Sequence, residues 1–141
     1  MRLLFTLSVL LLNSVSFSQS LEGEWKGSYD NYDHTTHKII LHFTLNKDQS
    51  YTVYSYTPDL KGDGSESVLI CSVSFKKTGR NSFRLEETAL VKPVGAKGGC
   101  KQRFDLRLVK YKKEQKLEGS WRSADKECDA GFGAIRFKRG A

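Results

Sequence analysis

Several features that would narrow a function are missing from this sequence. There are three cysteines, Cys71, Cys100 and Cys128, and no Cys-x-x-Cys pair, so a structural zinc site lacks its usual ligand set. No Gly-x-Ser-x-Gly elbow is present to expose a nucleophilic serine. The Gly-rich stretch from Lys92 to Gly99 lacks the Gly-Lys-Ser/Thr of a phosphate loop and reads as an ordinary connection. Beyond the N-terminal segment no stretch carries an amphipathic helical stripe. Prolines number two, Pro58 and Pro93, and both fall where the pattern predicts connections. These absences argue against a zinc module, a serine hydrolase and a P-loop enzyme.

The N-terminus indicates export. Met1-Arg2 is a short positive start, and Leu3 to Leu12 is apolar except for Thr6 and Ser8. Ser16-Phe17-Ser18 then fits the small-x-small pattern of signal-peptidase cleavage. The run is about half of the roughly 20 residues that a spanning helix needs. The expected division is a signal peptide over residues 1–18 and one domain over residues 19–141, in the periplasm or secreted. No cysteine sits just after the cleavage point, so a lipoprotein anchor is not indicated. The formal net charge is +7, and removal of residues 1–18 takes away only Arg2. Most Lys and Arg alternate with apolar residues or sit in turns, as a solvated outer face places them, and neither nucleic acid nor a membrane span is expected.

What is present is period two. Trp25, Gly27 and Tyr29 alternate with Lys26 and Ser28, and Ile39, Leu41, Phe43 and Leu45 with Ile40, His42 and Thr44. The same alternation runs through Tyr51 to Thr57, Leu69 to Phe75, Phe83 to Ala89, Cys100 to Leu108, Leu117 to Trp121 and Gly133 to Phe137. That makes eight strands in sequence without a long crossover, the pattern of an all-β, eight-stranded antiparallel up-and-down barrel. A two-sheet sandwich needs longer connections between its sheets. The connections at Asn46 to Gln49, Lys76 to Asn81 and Lys112 to Lys116 read as short. Those at Asp30 to Thr36, Pro58 to Glu66, Lys92 to Gly99 and Ala124 to Ala130 read as longer, and would form a rim at the opposite end.

Strand parity assigns the interior. Trp25, Phe43, Leu45, Tyr51, Phe75, Phe83, Leu108 and Phe137 would plug the tight-turn end. Toward the loop end the inward positions turn smaller or polar: Ser55, Cys71, Glu87, Ala89, Gln102, Ser123, Gly131 and Gly133. The pattern predicts a chamber there for a small apolar or amphipathic ligand, lined by Tyr29, Ile39, Val53, Ser55, Leu69, Glu87, Ala89, Gln102, Trp121 and Gly133.

Leu21-Glu22-Gly23-Glu24-Trp25-Lys26 is echoed by Leu117-Glu118-Gly119-Ser120-Trp121-Arg122. Gly23-x-Trp25 on the first strand, with Arg136, Lys138 and Arg139 near the end of the last, resembles the lipocalin-like (calycin) signature. The resemblance implies a ligand-binding barrel in which Arg139 packs over Trp25 at the closed end. The chain is also similar to small exported bacterial proteins of lipocalin-like type. In those one cysteine opens the sixth strand and another precedes the last, as Cys100 and Cys128 do. Neighbouring strands six and seven bring these two cysteines to the same end, so Cys100 with Cys128 is the expected disulfide and Cys71 a free core thiol. The competing pair is Cys71 with Cys100.

Among residues that carry chemistry, Asp30, Asp33, His34 and His37 share the first rim loop, without the spacing of a metal site. Glu87 is sharper, because an inward carboxylate must find partners or carry function. Gln102, Tyr29 or a basic residue is its expected partner. One inward carboxylate does not make an acid/base pair, and no catalytic residue or cofactor is expected. The expected function is an exported barrel that binds a small, largely apolar ligand. The alternative is a protein–protein module, an exported inhibitor or envelope-associated factor, acting through the rim loops.

Overall fold

A computed structural model describes residues 20–30, 34–60, 66–92, 100–125, 128 and 131–140, with backbone alone at 59–60 and 66–67. The expected signal peptide lies outside the described residues, as do Asp33 and the Gly-rich connection. Among the described residues no helix is long and apolar enough to cross a membrane.

Eight strands follow one another: β1 Gly23–Asp30, β2 Thr36–Leu45, β3 Tyr51–Leu60, β4 Glu66–Lys77, β5 Ser82–Lys92, β6 Gln102–Tyr111, β7 Glu114–Ser123 and β8 Phe132–Arg139. Each is antiparallel to its neighbour, and β8 returns to β1 to close the barrel. At the seam Trp25 stands opposite Arg139 and Gly27 opposite Phe137. Closure pairs the edges that an open meander would leave exposed.

The period-two pattern does the folding because it gives every strand an apolar face. Trp25, Leu41, Phe43, Leu85, Phe104, Leu117 and Phe137 have no exposed surface. Phe43, Tyr51, Phe75 and Phe83 form an aromatic cluster at the tight-turn end, with ring centroids 5.2 to 6.5 Å apart. Leu21, ahead of β1, tucks under it. Its carbonyl accepts the Trp25 indole N–H at 2.9 Å, and its own N–H donates to the Tyr51 hydroxyl at 3.0 Å.

Gly23 explains the Gly-x-Trp spacing. Its φ of 113° lies in the region that favours glycine, and a Cβ there would stand 3.5 Å from an Arg139 nitrogen. The arginine therefore crosses the first strand where there is no side chain.

Three expectations are corrected. Pro58 belongs to β3, opposite Val68, rather than to a loop. The β2–β3 ladder stops at Ile40 and Tyr56, so Pro58 sits where β3 has one neighbour and a missing N–H disturbs least. Because β3 runs on to Leu60, the alternation of short and long connections is weaker than the sequence suggests. Residues 31–35, 46–50 and 61–65 are of equal length, and the contrast is confined to 112–113 against 93–101 and 124–131.

The third correction concerns Ala89, which points outward. Cys71 pairs with Leu90, Ser72 with Ala89 and Val73 with Glu87, so Thr88 and Ala89 together oppose Ser72 in a bulge. A bulge inserts one residue and flips the parity beyond it. Leu90, not Ala89, is the inward residue, and Ala89 is exposed.

Candidate functional site

The loop-end interior is organised around Glu87. The β5–β6 ladder ends at Glu86 and Arg103, and the next N–H of β6, that of Gln102, donates 2.8 Å to the Glu87 carboxylate. A side chain thus accepts where the backbone ladder has stopped. The other carboxylate oxygen accepts from the Ser55 hydroxyl across the barrel. The Cys71 thiol also hydrogen-bonds Glu87.

Burial dominates the electrostatics. It raises the Glu87 carboxyl above its ordinary value, against the opposing pull of Ser55, the Gln102 N–H and Cys71. Burial, with the Glu87 charge second, pushes the Tyr29 phenol up to about 12. The same two causes raise the Cys71 thiol to about 11, which makes it a poor nucleophile at neutral pH.

The side-chain amide of Gln102 is half satisfied. Its nitrogen donates to the Cys100 carbonyl at 3.0 Å, which orients the group, and among the described residues its buried oxygen has no donor. Above this layer Tyr29 packs on Trp121, with centroids 4.4 Å apart, and His37 stacks on Tyr29 at 5.4 Å.

The disulfide closes the rim beside it. Cys100 and Cys128 are bonded with Cα atoms 5.5 Å apart, and Cys71 is free. The Ala124 N–H donates to the Lys101 carbonyl at 2.7 Å, and the Lys101 N–H to the Asp125 carboxylate at 3.2 Å. The β7–β8 connection thus folds back over the start of β6, as the meander requires.

The sequence-predicted residues divide between a sealed layer and an open one. Ile39, Val53, Ser55 and Trp121 keep 2% or less of their surface exposed. Tyr29, Glu87 and Gln102 are buried at the next level, at 8%, 6% and 4%. Leu69 and Gly133 are half-buried, with Cys71 and Leu90 alongside. Exposure therefore rises from the mid-barrel layer toward the loop end. A groove of about 780 Å³ runs along β7 and β8, lined by Trp121 and Gly133 and also by the exposed Ser120, Arg122, Phe132 and Ala134, so it lies largely on the outer face.

Sequence reasoning missed Leu90, because a bulge leaves no mark in the alternation. It also missed Asp125, whose charge acts on Glu87 from the β7–β8 connection. Its proximity to Cys128 in sequence was the available signal.

Among the described residues no group of three His, Cys, Asp or Glu side chains could hold a metal ion. Asp30 instead accepts from the Thr36 hydroxyl at 2.6 Å, while Asp33 is outside the described residues.

The fold and this layer define a closed, eight-stranded antiparallel up-and-down barrel with a polar network under one mouth. Among solved structures the chain is similar to a redesigned β-barrel, at 14% identity over 86% of this chain and 92% of that one, with a TM-score of 0.52. A likeness at this identity carries the barrel fold alone. No protein-family profile and no curated protein matches the chain.

Proposed function

We propose that this protein is an exported, lipocalin-like binding barrel that takes a small, largely apolar or amphipathic ligand at its loop-end mouth and catalyses no reaction. The observation that carries this reading is the juxtaposition at the mouth. Half-buried Cys71 and Leu90 stand opposite each other beside Glu87, with half-buried Leu69 two residues along β4. Glu87's partner Gln102 carries a buried amide oxygen that has no donor among the described residues. Apolar walls with a few convergent polar groups are the common form of a small-molecule site, and an unpaired buried acceptor favours a ligand that brings a donor. The Cys100–Cys128 bond is compatible with an oxidising, exported location.

A non-catalytic role is supported by the chemistry of the network. Glu87 is engaged by three donors, and the Cys71 thiol is held away from its reactive form. The test is native mass spectrometry of the protein exported by its own host. The expected spectrum shows a small-molecule adduct that Gly133→Leu diminishes, since a Cβ there already stands 3.3 Å from the Trp121 indole nitrogen. A spectrum free of adducts would remove the reading.

A second reading rests on the sealed mid-barrel, where Ser55 has no exposed surface. A filled interior favours a protein partner bound by the rim, where the disulfide fixes the two longest connections.

A further inference from the structure

The tight-turn end carries a surface that neither the core nor the loop-end site requires. Tyr111 ends β6 with 65% of its surface exposed, and Lys112 and Lys113 form the turn into β7. Two-residue hairpin turns favour Asn or Gly because the chain must enter the left-handed region. Here Lys112 does so, at φ 56°, and holds its ammonium 5.7 Å from the Tyr111 ring centroid.

Behind the turn the lysines are crowded. Lys138 stands directly opposite Lys26 on one side and Lys116 on the other, an arrangement of like charges that costs stability. Lys110, Lys112, Lys113, Lys116 and Lys138 line a groove of about 510 Å³ in which Glu114, 3.6 Å from Lys116, is the acidic side chain. Local preference and charge pairing are both set aside here, which is the mark of a surface kept for a partner.

We propose that this end of the barrel docks on an anionic phospholipid surface, the lysines meeting headgroup phosphates and Tyr111 seated among the headgroups. A ring with a polar tip suits the boundary between water and lipid. Single-stranded nucleic acid is instead gripped by successive aromatics along a groove, and here one aromatic stands among the lysines. Docking by the tight turns would leave the loop-end mouth facing away from the bilayer.

The test is cosedimentation of the mature protein at about 0.15 M salt, where surface charges are screened beyond roughly 8 Å. Vesicles of phosphatidylcholine with about 30 mol% phosphatidylglycerol should bind it and pure phosphatidylcholine should not. Lys112→Glu with Lys113→Glu should weaken binding at least about tenfold, on roughly fivefold per lysine at an anionic surface. Tyr111→Ser should weaken it with thermal stability unchanged. Lys92→Glu, an exposed lysine at the far end of β5, should leave it unaltered. Failure to bind phosphatidylglycerol vesicles overturns the proposal, and so does an equal loss with Lys92→Glu. It is also overturned if an oligothymidine binds through the turn lysines and displaces the vesicles.

Discussion

The Arg139 guanidinium lies over the Trp25 ring, its central carbon 4.3 Å from the ring centroid. From there its two terminal nitrogens donate at 2.6 Å each to the carbonyls of Glu22 and Ser20, and Nε donates 3.0 Å to Gln115. One side chain thus ties the last strand to the segment ahead of the first and shields the indole that plugs the barrel. Arg139→Ala should destabilise the fold by about 1–2 kcal/mol. Arg139→Lys should recover less than half of that, because an ammonium cannot reproduce the planar fork. Urea unfolding of the three proteins is the check, and equal midpoints would show that the contact is ornamental.

Glu87 should make stability depend on pH in a definite direction. Its folded-state carboxyl is raised above the ordinary value of 4.5, chiefly by burial. The folded protein therefore holds this proton more tightly than the unfolded chain. Its contribution is fully present below the ordinary carboxylate range and is lost as pH rises through the raised value. Glu87→Gln, which keeps an oxygen for the Gln102 N–H and an amide for Ser55, should flatten that segment of the stability–pH curve. Glu87→Ala should cost about 1–3 kcal/mol below the ordinary carboxylate range by stranding those partners, and less as pH rises through the raised value. A wild-type curve that rises across this window would contradict the raised value.

The disulfide closes a loop across a sequence separation of 28. Cys100→Ser with Cys128→Ser should destabilise by about 3–4 kcal/mol on the loop-entropy account. Non-reducing peptide mapping should recover a Cys100–Cys128 peptide, with Cys71 in no crosslink and slow to alkylate in the folded protein because its thiol is raised to about 11. A crosslinked peptide containing Cys71 would be inconsistent with this arrangement.

The bulge predicts opposite behaviour for adjacent residues. Ala89→Asp places a carboxylate on the exposed face and should change stability by less than about 0.5 kcal/mol. Leu90→Asp places one inward beside Cys71 and near the Glu87 network, and should cost more than about 2 kcal/mol. Thermal melts of the two variants distinguish the faces. Reversed sensitivities would restore an unbroken alternation along β5.

Much of this barrel was legible in the residues. Alternation placed Trp25, Phe43, Phe83, Leu85, Phe104 and Phe137 on the inner face, because a side chain on a strand has only two sides to choose from. The meander brought Cys100 and Cys128 to one end, and the Gly23-x-Trp25 spacing pointed to Arg139. Glu87 and Gln102 were legible as a buried pair for the same reason of parity. Pro58 was misplaced because proline marks a turn in most sequences, and only the end of the β2–β3 ladder at Tyr56 makes it harmless in a strand.

The periodicity of apolar residues by itself determined the strand count, the inward faces and the closed antiparallel order, since each follows from local alternation and short connections. Three things were decided by tertiary structure alone. The bulge at Thr88 and Ala89 depends on the register of β5 against β4. The unsatisfied Gln102 oxygen and the charge of Asp125 on Glu87 depend on how the start of the β7–β8 connection meets the start of β6. The depth at which the barrel becomes sealed depends on how large side chains from opposite walls interlock. Register, loop closure and volume filling are sums over residues far apart in the chain, and no local pattern carries them.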